Sequence, residues 1–183
     1  PLRAIREVLT PDGQPITRYG LSVEQAFAPG PVYLTTAALQ GVVREGTGAG
    51  LRNVLPESLA LAGKTGTTDE LRDAWFAGFS GDRVAVVWVG HDDNTPTGLT
   101  GSSGALPIWG ELMRQLDPEP LALPMPDDVE LVWIDPPTGL RADRDCPGAI
   151  ELPFARDSAP EQSAPCARST GKKIKSWFRG LFD

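Results

Sequence analysis

Apolar positions recur along this chain at two different spacings, and the spacing changes at glycines and prolines. Leu34, Ala37, Ala38, Leu39 and Val42 repeat every three to four residues, which predicts a helix over residues 32–45. Pro31 stands at its start and Gly46 just past its end, where those residues are favoured. Three strand-like runs follow, over 59–67, 73–79 and 83–90. Ser80-Gly81-Asp82 is a short turn between the last two, so they are expected to pair as an antiparallel hairpin. The segment from Val84 to Val89 is apolar throughout, as a strand covered on both faces is. Residues 105–116 read as a closing helix with Ile108, Trp109, Leu112 and Leu116 on one stripe. A short strand is expected over 16–19, and Gly46-Thr47-Gly48-Ala49-Gly50 reads as a flexible loop. The pattern is α+β, an antiparallel sheet flanked by helices.

After Asp117 the pattern changes. Ten of the eighteen prolines fall between Pro118 and Pro165, which excludes much helix there. One strand is expected over 129–134, before the Asp135-Pro136-Pro137-Thr138-Gly139 turn, and the remainder reads as a loop-rich extension. The chain thus divides into a body over 1–117, a Pro-rich extension over 118–168, and a basic tail over 169–183. In that tail Ile174, Trp177, Phe178 and Leu181 share one helical face, suited to an anionic membrane or to a partner, and equally to a frayed terminus.

Composition removes several function classes. A net charge of −7 argues against a broad nucleic-acid surface, which needs a basic face. No apolar run approaches the roughly 20 residues of a membrane span. The opening Pro1-Leu2-Arg3 has neither an initiator Met nor a signal-peptide pattern, and reads as part of a longer protein. Two cysteines, Cys146 and Cys166, with one distant histidine, His91, are too few for a zinc site, so a disulfide in an oxidising compartment is the better reading. Neither a metal nor a cofactor is implied. His91 between a strand and Asp92-Asp93 has poor ligand geometry, because successive strand residues point to opposite faces, and reads as a solvated turn.

The chemistry concentrates in Ala62-Gly63-Lys64-Thr65-Gly66-Thr67-Thr68. Lys64 is the only lysine among the first 171 residues, and it sits among three hydroxyls and two glycines at the end of an apolar strand. Glycines let a ligand approach the backbone closely. A strand edge offers N–H groups to an extended peptide or a developing oxyanion. One ammonium and two hydroxyls suit a carboxylate. The competing reading is a polar turn with an ordinary surface lysine.

With those residues in view, the chain resembles the class A, bifunctional penicillin-binding proteins. Lys64-Thr65-Gly66-Thr67 matches the third motif of the serine penicillin-binding proteins and β-lactamases. Gly46-Thr47-Gly48, Asp73-Ala74-Trp75-Phe76-Ala77-Gly78, Trp88-Val89-Gly90 with Asp92-Asp93-Asn94, and Gly101-Ser102-Ser103-Gly104-Ala105 fit the same family, as does a late Cys pair. The resemblance runs from about Ile16 to Cys166 and implies the penicillin-binding transpeptidase fold, here its C-terminal half.

It further implies a D,D-transpeptidase that cross-links peptidoglycan stems by serine acyl transfer, in a parent that is also a peptidoglycan glycosyltransferase. Lys64 would set the electrostatics and proton transfers around the nucleophile. Thr65 and Thr67 would hold the carboxylate of a D-Ala-D-Ala stem or a β-lactam. The Thr67 N–H would form half of the oxyanion hole, and Gly66 would keep the strand clear of the acyl group. Asp73, Trp75 and Phe76 would be framework. The implied setting is the periplasmic face of the bacterial inner membrane, with an outer-membrane lipoprotein activator as a further partner. Neither Ser-x-x-Lys nor Ser-x-Asn precedes Lys64, and the one literal Ser-x-x-Lys, Ser169-Thr170-Gly171-Lys172, lies in the tail. The nucleophile is therefore expected from the N-terminal part of the same protein, and this chain alone is expected to be inactive. The alternatives are part of a serine β-lactamase or D,D-carboxypeptidase, and a non-catalytic module that binds peptidoglycan or a partner.

Overall fold

A computed structural model describes residues 5, 7–20 and 25–167; the basic tail over 169–183, with the helical face expected there, lies outside them. The order along the chain is β1 (Glu7–Leu9), β2 (Pro15–Arg18), α1 (Pro29–Glu45), β3 (Ala62–Thr67), β4 (Ala74–Phe79), β5 (Val84–Val89), α2 (Leu106–Leu116), β6 (Val129–Asp135), β7 (Leu140–Arg141) and β8 (Ile150–Ala155). The first two strands form an exposed hairpin. Next comes the antiparallel sheet β3-β4-β5, and a second antiparallel sheet follows in the order β7-β6-β8. The architecture is α+β, as the patterning implies.

The main core lies between one face of β3-β4-β5 and α2. Trp109, Phe76 and Met113 are fully buried there, with Leu51, Leu55, Leu61 and Leu106 around them. Phe76 and Trp109 meet edge to face at 5.0 Å, and the indole N–H of Trp109 donates to the Ala85 carbonyl at 3.0 Å. That bond lets a large aromatic be buried without stranding its one polar atom.

Two expectations about faces are corrected. The apolar strand β5 is covered on one face only. Ala85, Val87 and Val89 pack on the core, while Val84, Val86 and Trp88 are 79%, 59% and 45% exposed. Continuous apolar sequence marks what a strand can bury, and here α2 covers a single side. On α2 the buried positions are Leu106, Trp109, Gly110 and Met113, whereas Ile108, Leu112 and Leu116 of the expected stripe are exposed. The helix turns its largest side chain inward, and Gly110 allows close approach to Leu51, whose Cδ2 would lie 3.0 Å from a Cβ there.

The Gly46–Gly50 stretch is not a flexible loop. The N–H groups of Gly46 and Gly48 both donate to the Val42 carbonyl at 3.0 Å, which caps α1, and a 3-10 helix, Ala49–Asn53, follows at once. Gly46 keeps this turn close: a Cβ there would sit 3.0 Å from both Cα and O of Val42, tighter than an ordinary contact.

The extension carries more regular structure than its prolines suggest. β6 pairs with β8 from Val129 to Ile134, and Val132, Ile134 and Ala159 form a small core with Leu152 and Phe154. The Cys146–Cys166 disulfide is formed, with its Cα atoms 5.6 Å apart. The extension docks on the body where Gly30, in the first turn of α1, makes room for the Asp128 carboxylate; any Cβ at residue 30 would overlap it. A carboxylate at a helix N-terminus is favourable, because the aligned peptide dipoles leave that end positive. A disulfide that closes a 20-residue separation restricts the unfolded chain, a stabilisation of about 3 kcal/mol. Reduction is thus expected to move the urea unfolding midpoint of the extension downward by that equivalent. Coincident midpoints with and without reductant would show that the cross-link adds nothing.

Candidate functional site

The Lys-Thr-Gly strand β3 is an edge strand among the described residues, paired only with β4. Register opposes Lys64 to Ala77, Thr65 to Phe76, Gly66 to Trp75 and Thr67 to Ala74. Just beyond the strand, Thr68 N–H donates to the Asp73 carbonyl at 3.1 Å. Because an antiparallel ladder alternates, this bond sets the phase: the backbone groups of Thr65 and Thr67 point away from β4, toward the open edge. The strand is rooted by Ala62 and Gly63, both buried; a Cβ on Gly63 would lie 2.6 Å from the Phe76 ring.

Side chains alternate across the sheet. Lys64 and Gly66 share the uncovered face with Trp75, Ala77, Val86 and Trp88, while Thr65 and Thr67 take the other. Lys64 is exposed, and its Nζ curls over the edge to donate to the Thr65 carbonyl at 2.9 Å and to Thr65 Oγ1 at 3.4 Å. Thr65 Oγ1 lies 2.6 Å from Thr47 Oγ1. Thr67 Oγ1 accepts the N–H of Gly101 at 2.9 Å, which leaves its own hydrogen to give. The result is an ammonium and two hydroxyl groups along one open strand edge. Such a set can hold a carboxylate while adjacent backbone N–H groups face the same space.

Neighbouring elements fix this edge. Gly101 opens a π-helical turn, Gly101–Ala105, that leads into α2, and Thr100 caps it through its side chain. Only glycine fits at Gly101, where a Cβ would meet Trp75 O at 2.5 Å and Gly66 O at 2.6 Å. Asp73 ties the β3–β4 turn: one carboxylate oxygen accepts from Thr68 Oγ1 at 3.1 Å, the other from the Trp88 indole N–H at 2.8 Å. Trp75 and Trp88 stack obliquely at 6.1 Å.

The structure therefore brings Lys64, Thr65, Gly66 and Thr67 together on one edge. It adds Thr47, for which the sequence offered a motif but no role. His91 and Asp92 lie on an exposed turn. Beside them, hydrogen bonds from the Thr95 hydroxyl and N–H hold the Asp93 carboxyl below the usual carboxylate range. Among the described residues no three His, Cys, Asp or Glu side chains are grouped to hold a metal, and no helix is long and apolar enough to cross a membrane. A cavity of about 230 Å³ opens elsewhere, between α1 and the 51–61 segment, and none of Lys64 to Thr67 lines it.

No family model matches the chain. Penicillin-binding protein 1B of Vibrio cholerae is 39% identical over 178 residues, covering 97% of this chain, and that of Escherichia coli is 42% identical over 135 residues, covering 74%. The chain belongs to the class A penicillin-binding proteins. Penicillin-binding protein 1A of Pseudomonas aeruginosa is 38% identical across 70% of the chain. The crystal structure of penicillin-binding protein 1A from Haemophilus influenzae superposes with a TM-score of 0.64, at 28% identity and over 74% of the chain. The chain spans only 23% of the Vibrio protein, 16% of the Escherichia protein and 21% of the Haemophilus chain.

Proposed function

We propose that this chain is the C-terminal part of the D,D-transpeptidase domain of a peptidoglycan synthase, and that it contributes the substrate-binding strand to a serine acyl-transfer site. The observation that carries this reading is the open edge of β3, where Lys64, Thr65 and Thr67 present one cation and two hydroxyl groups. The stem peptide binds as an added strand, its terminal carboxylate held by Thr65 and Thr67. A serine outside these residues attacks the D-Ala-D-Ala carbonyl. The tetrahedral oxyanion is stabilised by the Thr67 N–H, the amide C–N bond breaks, and D-alanine leaves with a proton. The amine of a second stem then displaces the serine and completes the cross-link. Lys64 stabilises negative charge and assists proton transfer at the nucleophile, and Gly66 keeps the acyl group unobstructed. A β-lactam follows the first half of this course and stops there. The parent protein works at the periplasmic face of the inner membrane, with a glycosyltransferase activity beside this one and a lipoprotein activator as partner.

The uncovered apolar face beside Lys64 supports the same reading. Trp75, Val84, Val86 and Trp88 form a surface suited to cover by the remainder of such a protein. Intact-mass measurement after incubation with a penicillin tests the division of labour. The 183-residue chain is expected to gain no adduct and, under non-reducing conditions, to run two hydrogens light. A stoichiometric adduct would place the nucleophile within these residues and overturn the assignment.

A further inference from the structure

We infer that Thr47 is a positioning residue for carboxylate recognition: its hydroxyl donates to Thr65 Oγ1 and thereby turns the Thr65 hydrogen outward, toward the ligand. The inference rests on the reading of β3 given above and names how that strand achieves selectivity. A hydroxyl has one hydrogen to give. If Thr65 gives its hydrogen to Thr47, nothing remains for a carboxylate. If Thr47 is the donor across the 2.6 Å contact, the Thr65 oxygen accepts from Thr47 on one side and from Lys64 Nζ on the other, and its hydrogen is free. Two donors on one oxygen also polarise its O–H and strengthen the bond it makes in turn.

Such a role demands that Thr47 be held still, and the turn around it is fixed from both sides. The Val42 carbonyl accepts from Gly46 N–H before Thr47 and from Gly48 N–H after it, both at 3.0 Å. Arg52 closes the turn from outside, donating to the Arg44 carbonyl at 2.6 Å and the Ala49 carbonyl at 3.0 Å. Tight packing leaves no slack, since a Cβ on Gly48 would lie 3.1 Å from the Val43 Cα. The end of α1 is thereby converted into a bracket that delivers one hydroxyl to the Lys-Thr-Gly strand, eighteen residues away in sequence.

The test uses the intact protein and two boronic acids that bond to the serine nucleophile, meta-carboxyphenylboronic acid and phenylboronic acid. Thr47→Val keeps the shape and removes the hydroxyl. It is expected to weaken the carboxylated probe about tenfold, the worth of one hydrogen bond to a charged group, and to leave phenylboronic acid unchanged. Thr47→Ser is expected to restore the preference, and Arg52→Met to reduce it in part by loosening the bracket. Equal weakening of both probes, or of neither, overturns the role of Thr47. If the wild-type protein shows no preference for the carboxylated probe, or Lys64→Ala leaves the preference intact, the reading of β3 itself falls.

Discussion

Replacing Lys64 with alanine in the intact protein is expected to slow acylation by penicillin by two orders of magnitude or more, roughly the cost of removing one electrostatic contact to the transition state. Lys64 is the sole lysine in the first 171 residues, it stands at the open edge of β3, and its Nζ already reaches the Thr65 carbonyl and hydroxyl. No other residue of β3 carries positive charge. Arginine is an imperfect substitute, because its planar fork cannot pack into the space of a compact ammonium. Lys64→Arg should therefore recover only part of the rate. Asp92→Ala, on an exposed turn, is the control and is expected to leave acylation within twofold. Stopped-flow acylation of both variants decides the matter: similar rates for Lys64→Ala and Asp92→Ala would remove Lys64 from the site.

The largest effect on stability is expected from Trp109→Ala, about 4 kcal/mol in urea unfolding. Trp109 is fully buried between α2 and the sheet, stacks edge-on against Phe76 and satisfies the Ala85 carbonyl. Truncation opens a cavity in a core whose other large members, Phe76 and Met113, belong to different elements and cannot both move in. Trp109→Phe retains most of the apolar volume but leaves the carbonyl without its indole donor, and should lose about half as much. A Trp109→Ala loss below 1 kcal/mol would mean that the core collapses around the gap. Since α2 follows directly from the turn that holds Gly101 against Thr67, such a loss of packing is also transmitted to the substrate edge.

The β3-β4-β5 meander was legible in the sequence because each strand is a compact apolar run and the Ser80-Gly81-Asp82 turn leaves one simple pairing. The Lys-Thr-Gly chemistry was legible because an unusual residue, the lone body lysine, falls inside a hydroxyl-rich string. What stayed hidden has physical reasons. β1 is three residues long and wholly exposed, so no burial pattern marks it. Pro153 lies inside β8, paired opposite Leu131, and proline there disguises a strand as a loop. Which stripe of α2 faces inward depends on what the partner surface can accept, and Ile108, Leu112 and Leu116 repeat as regularly as the stripe that is buried. The Thr47–Thr65 and Thr67–Gly101 contacts join residues 18 and 34 positions apart, and no local spacing encodes them.

The outer strand of the meander bears on how such a protein survives its own synthesis. Hairpins joined by short turns form from contacts close in sequence and assemble early. Among the described residues β5 displays a row of main-chain donors and acceptors at its open edge, beside the exposed Val84, Val86 and Trp88. A strand from a neighbouring nascent molecule can join that row as readily as one from the same polypeptide. Asp82 and Arg83 stand at one end of the run and Asp92 and Asp93 just past the other. Charges so placed act as gatekeepers, because a second copy added in register as a parallel strand would set like charges side by side.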